Sequence, residues 1–182
     1  MEIISFIGKS HDNVIGYSRQ DLARFIIGMK PTDVVFTYVS REDFENSRYG
    51  QEVSTLLADH ALKGKVRFAG VVPDSDQAAG LENPTAEAVV RKNIVDMIYS
   101  TIYAYLEGYW KDYQTVNSEV TDALFRARRL LVSQITGAGG DEKWEKDHES
   151  ILQNVKRMQL GQNPVIVVPV ESAFWFKDNL MN

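Results

Sequence analysis

The residues best suited to chemistry cluster where apolar runs end. The first cluster is Gly8-Lys9-Ser10-His11-Asp12-Asn13, directly after Ile3-Ile4-Ser5-Phe6-Ile7. Glycine lets a ligand approach the main chain, Lys and Ser offer donors to phosphate, His shuttles protons, and Asp-Asn favours a turn. A phosphate ligand held by Gly8, Lys9, Ser10 and Asn13, with His11 and Ser10 as the catalytic pair, is the chemistry these types allow; a solvated turn is the alternative. The spacing is neither that of a Walker loop nor that of a dinucleotide fingerprint.

The second cluster is Ser40-Arg41-Glu42-Asp43, after Val34-Val35-Phe36-Thr37-Tyr38-Val39. Arg41 could grip a phosphate in bidentate fashion, with Ser40 and Glu42 beside it. Ser40 could equally cap a helix. Asp74 and Asp76 follow Val66 to Val72 and could bind a metal or act as base, with Asp74 also a candidate ligand contact; simply forming a turn is the alternative. Glu52 could face the same site or be a first-turn acid favoured by the helix dipole. A fourth run, Val165 to Val168, leads into Pro169-Val170-Glu171-Ser172. His60 and His148 fall in helical stretches and receive no role. Arg126, Arg128 and Arg129 span one helical turn and read as surface. No His/Asp/Glu set has the spacing of a known metal site, and no cofactor is expected.

Composition narrows the classes. The 182 residues are 44% hydrophobic and 25% charged, with 20 Lys+Arg against 25 Asp+Glu, a net charge of −5. That balance argues against a dedicated binder of long nucleic acid. Cysteine is absent, so no disulfide framework is possible. The chain opens on a strand-like run with no signal pattern, and no apolar stretch nears the ~20 residues of a membrane span. A cytoplasmic protein is expected.

Four apolar runs separated by helical stretches predict an α/β domain over 1–182, with a parallel, Rossmann-like sheet of four or more strands. Ser18 with Asp21 starts a helix carrying Leu22, Phe25, Ile26 and Met29 on one face. A second helix is expected from Glu45 or Asn46 to Gly64. A helical insertion fills about 85–160, with Asn83-Pro84 as its start. Its first helix carries Tyr99, Tyr103, Leu106, Trp110 and Tyr113 on one stripe and Ile98, Ile102, Tyr105 and Tyr109 on another. Such a helix packs in a core or against a second copy, with base stacking the less favoured use. The next helix, Ser118 to Ile135, is read with Val120, Ala123, Leu124, Ala127, Leu130 and Leu131 inward. Gly137 to Gly140 reads as a joint before a last helix, Asp141 to Leu160. Together with the aromatic tail Phe174-Trp175-Phe176, the apolar excess predicts a homodimer.

The N-terminal residues carry a resemblance. Ile4-Ser5-Phe6-Ile7-Gly8 with a downstream Tyr17, then Val35-Phe36-Thr37-Tyr38-Val39-Ser40-Arg41-Glu42, then Gly70-Val71-Val72-Pro73-Asp74, resemble successive units of CARF domains. These are Rossmann-like sensors of cyclic oligoadenylate in type III CRISPR systems. The resemblance covers residues 2 to about 100. It implies binding of a nucleotide second messenger, with possible metal-independent cleavage. An R-x-x-x-x-H nuclease signature is lacking, so a stand-alone binder or ring-opening hydrolase is implied. Gly161-Gln162-Asn163-Pro164-Val165-Ile166-Val167 resembles the last strand of nucleoside 2-deoxyribosyltransferases, in which a Glu attacks the sugar; Glu52 is the position offered. A non-catalytic interaction module is the third reading.

Overall fold

The computed structural model describes residues 1–72 and 85–181, and at 9–11 and 138–141 the main chain alone. All four apolar runs form strands of one parallel sheet. These are β1 (Glu2–Phe6), β2 (Asp33–Phe36), β4 (Val66–Phe68) and β6 (Pro164–Pro169), in the order β1-β6-β2-β4. The interior strands are β6 and β2, and in β6 Val165 to Val168 are fully buried. Each such aliphatic side chain removed from water is worth about 1.5–3 kcal/mol. A β-branched run buried on both faces is what an interior parallel strand requires.

Two of the runs are shorter strands than expected. The second breaks at Thr37, whose N–H and hydroxyl both donate to the Val167 carbonyl at 3.1 and 3.2 Å. The third breaks at Ala69, before Gly70 at φ +122, a conformation that only glycine adopts without strain. Beyond the breaks, β3 (Tyr38–Val39) and β5 (Gly70–Val71) pair antiparallel with each other. At the outer edge of β1, the Ser5 N–H donates to Asn117 Oδ1 at 2.7 Å, and the Tyr17 hydroxyl donates to the Ser5 carbonyl at 2.8 Å. Side chains thus cover an edge that would otherwise pair with another strand.

The helices sort by the direction of the crossovers. From β1 to β2 to β4 the chain steps one way across the sheet, through α1 (Arg19–Gly28) and α3 (Gln51–Ala58), which pack on each other. From β4 it returns to β6 through α4 (Ala86–Tyr109), α5 (Tyr113–Val116), α6 (Glu119–Thr136) and α7 (Ala138–Arg157). Right-handed crossovers put the returning helices on the opposite face. There α6 and α7 pack against α8 (Ala173–Leu180), which follows β6.

Several helix expectations are corrected. The helix expected from Glu45 or Asn46 to Gly64 is α3, which starts only at Gln51 and ends at Ala58; before it lies a separate short helix, α2 (Arg41–Glu45), and Ser47 at φ +55, which no helix tolerates, parts the two. The joint expected over 137–140 is Gly137 alone, at φ +76, and the main chain is helical from Ala138. Thr85 caps α4, accepting from the Ala88 N–H, while the expected start at Asn83-Pro84 lies outside the described residues. Phe174, Trp175 and Phe176 are buried in the core, so they add no exposed apolar surface. The face of α6 expected to point inward is outside: Val120, Leu130 and Leu131 are exposed. The inner face carries Thr121, Asp122, Phe125, Arg128 and Val132.

Candidate functional site

The strand order defines a crevice. At its carboxyl end β6 exits toward α8 on one face, while its neighbours β1 and β2 exit toward helices on the other. Loops that part in this way leave a gap at the sheet edge, where open α/β folds take ligands. Two cavities lie there. One, of about 200 Å³, is bounded by the β1 exit (Phe6, Gly8), the β6 exit (Glu171, Ser172) and α6 (Arg128, Arg129). The other, of about 440 Å³, holds Arg19, Arg48, Tyr49, Gly50 and Glu52. Phe6, Gly8 and Tyr38 line both. The Phe6 and Tyr38 rings stack at 4.0 Å and form the shared wall.

In the smaller cavity two cations and a carboxylate meet aromatic faces. Arg128 is only 6% exposed, which overturns its expected surface position. Its guanidinium lies 4.5 Å over the Tyr99 ring, and that of Arg129 lies 4.4 Å over Trp144. Burial lowers the Arg129 pKa from its ordinary value, opposed by Glu145. Glu171 accepts from the hydroxyls of Tyr99 and Tyr103. Burial first, then the Glu171 charge, raises Tyr103 far above an ordinary phenol, so it stays a donor.

The larger cavity is built around Glu52, in the first turn of α3. This carboxylate is fully buried. Its Oε1 accepts from the Tyr38 hydroxyl at 2.9 Å, and Arg19 Nη1 lies 3.8 Å from Oε2. Among the described residues Oε2 has no hydrogen-bond partner. Gly50 makes room for the group: a Cβ there would sit 2.3 Å from both carboxylate oxygens. Burial, then the Glu52 charge, raises the Tyr38 pKa, which keeps the phenol protonated and donating.

The other sequence candidates are distributed unevenly. Gly8, at φ +76, lines both cavities, and the chain from Gly8 to Asn13 is a 3₁₀ turn at the β1 exit. The side chains of Lys9, Ser10 and His11 lie outside the described residues, as does the whole of Asp74. Asn13 is exposed. Gly8–Asn13 and Ser40–Glu42 lie on one edge of the sheet, since β1 and β2 both run parallel to β6. Yet the Ser40 hydroxyl caps α2, accepting from the Asp43 N–H at 2.9 Å. Glu42 faces Arg48 at 3.4 Å, and Arg41 pairs with Glu45 at 3.2 Å on the surface. None of Ser40, Arg41 and Glu42 lines either cavity. Sequence reasoning missed Arg19, Tyr38, Arg128, Arg129, Glu171 and Ser172 as site residues. A signal existed for two of them: Glu171-Ser172 follows the fourth apolar run as the other clusters follow theirs.

No protein-family model, curated protein or solved structure matches this chain. Among the described residues no group of three or more His, Asp or Glu could hold a metal ion, and no helix is long and apolar enough to cross a membrane.

Proposed function

We propose that the chain binds a small anionic nucleotide in the crevice at the β6 exit. The observation that carries this reading is the pairing of Arg128 and Arg129 with aromatic faces at the point where neighbouring loops part. Guanidinium groups match phosphate, and Phe6 and Tyr38 line the same cavity with aromatic surface for a base. The N-terminal resemblance favours a second messenger of the cyclic oligoadenylate type, a Rossmann-like fold and a cytoplasmic setting. In this reading Lys9 and Ser10 add phosphate contacts and His11 moves the proton in any cleavage. The test is a thermal-shift and calorimetry screen of mononucleotides and cyclic oligonucleotides, repeated with Arg129→Ala. A charge-assisted phosphate contact is worth ~1.5–3 kcal/mol, or roughly ten- to hundredfold in affinity. A loss of that size in the variant supports the reading, and nucleotide affinity untouched by Arg129→Ala removes it.

One observation favours a second reading, cleavage or transfer at a nucleoside N-glycosidic bond. Glu52 is a buried carboxylate in a cavity wall, and among the described residues no hydrogen bond occupies its Oε2. Such an oxygen could attack the sugar C1′ as the C1′–N bond breaks and the base leaves, taking its proton from solvent; water would then hydrolyse the glycosyl ester, releasing the sugar and the carboxylate. Glu52→Gln keeps an acceptor for Tyr38 but cannot attack. Nucleoside turnover by the wild-type chain, absent in Glu52→Gln with binding retained, is the expected result; no turnover by wild type, or turnover by the variant, excludes it.

A further inference from the structure

A polar relay behind the β6 exit plays no part in either reading. His148 of α7 is 1% exposed, its ring stacked 3.6 Å from that of Trp144. Its Nδ1 lies 2.8 Å from the Trp144 main-chain oxygen and its Nε2 lies 2.8 Å from Ser172 Oγ. A carbonyl oxygen only accepts, so Nδ1 carries the hydrogen. A neutral imidazole has one hydrogen, so Nε2 accepts and the Ser172 hydroxyl donates. Ser172 lines the smaller cavity, and with its single hydrogen committed to His148 it has only lone pairs left for a ligand.

Burial holds the His148 pKa down, to about 4, against the Trp144 carbonyl, with Arg129 lowering it further and Asp147 opposing. The doubly protonated ring, which alone could reverse the Ser172 bond, is therefore disfavoured about a thousandfold at pH 7. The same fact decides between two uses of a serine–histidine contact. A nucleophile needs its base to take up the proton, and burial here disfavours the cation. A fixed acceptor needs only the neutral ring. Next to Ser172, Glu171 is also an acceptor, while across the cavity Arg128 and Arg129 only donate.

We propose that Ser172 is a specificity-determining residue that selects ligands bearing an N–H donor, the exocyclic amine of an amino-substituted nucleobase, with their anionic end toward α6. This rests on the nucleotide-binding reading. Calorimetry compares two ligand pairs on the wild-type chain: adenosine 5′-monophosphate with purine riboside 5′-monophosphate, and cytidine 5′-monophosphate with its 2-pyrimidinone counterpart. Each pair differs only by the amine. We expect the amino member of at least one pair to bind about tenfold or more tighter, and that ratio to fall to about twofold or less in Ser172→Ala. Equal affinity within both pairs overturns the proposal and leaves nucleotide binding standing. No binding of any of the four by the wild-type chain overturns both. A preference that survives in Ser172→Ala overturns the assignment to Ser172, and if that variant fails to fold, Ser172→Gly, which also lacks the acceptor, is read in the same way. Covalent labelling of Ser172 by a fluorophosphonate would show a nucleophile and overturn the fixed-acceptor role.

Discussion

A carboxylate with no exposed surface has to be held, and at Glu52 the holders are Tyr38 and, farther off, Arg19. Tyr38→Phe removes the only hydrogen-bond donor described for the carboxylate. It should cost about 1–3 kcal/mol in a denaturant titration, the penalty for orphaning a buried polar group. His148 predicts a pH dependence. Its folded value of about 4 lies below the ordinary 6.5, so the unfolded ring takes a proton more readily. This contribution to stability is complete above about pH 6.5 and declines as the pH falls toward 4, by roughly 3 kcal/mol. Urea midpoints between pH 4 and 7 check it, and His148→Gln should flatten that part of the profile. At this scale the sequence is a poor guide. Arg41 reads as a phosphate ligand because of its type and its place after a strand, but Glu45 one turn away engages it on the surface. Arg128 reads as surface because arginines seldom go inside, and only the period set by Thr121, Phe125 and Val132 puts it on the buried face.

Elements are easier to read than residues, for a physical reason. A buried parallel strand needs a near-continuous apolar run, and the chain has four such runs. Helix faces are harder, because α6 reverses the usual rule: its most aliphatic face is outside. The interactions that join elements are not legible, since they link residues far apart in the chain. Asp33 at the start of β2 makes two of them. Burial disfavours its charge, but the Gly161 N–H at 2.7 Å and Arg67 at 2.9 Å outweigh that and hold its pKa below the ordinary value. Asp33 thus fastens β6's approach and β4 to the amino end of β2. Asp33→Ala should cost about 2–4 kcal/mol, because it leaves the Gly161 N–H unpaired and breaks the ion pair to Arg67, while ligand affinity at the opposite edge stays unchanged. A loss of binding without a loss of stability would refute this division of roles.

For the whole molecule the unexplained surface is apolar. In α4, Val90, Ile94 and Met97 recur at spacings of four and three on an exposed face, and Met97 is 60% exposed. In α6, which packs on α4, Leu130 is 62% exposed. We propose that these helices meet their counterparts in a second copy, since symmetric pairing is the commonest way to cover such a surface. Light scattering at micromolar concentration should report a dimer, and Ile94→Glu with Leu130→Glu should return a folded monomer; a wild-type monomer would end the idea. The place of β6 has a consequence for biosynthesis. Neither β1 nor β2 touches the other, and both pair with a strand made more than a hundred residues later. While the ribosome is still adding residues 69 to 163, β1 has no strand to join and β2 has only β4. The nascent chain must therefore carry β1 unpaired and β2 with one edge open, and the two halves of the sheet are joined only in a late step of high contact order. Chains stalled before residue 164 should be cut readily by protease, and chains released past residue 180 should resist it.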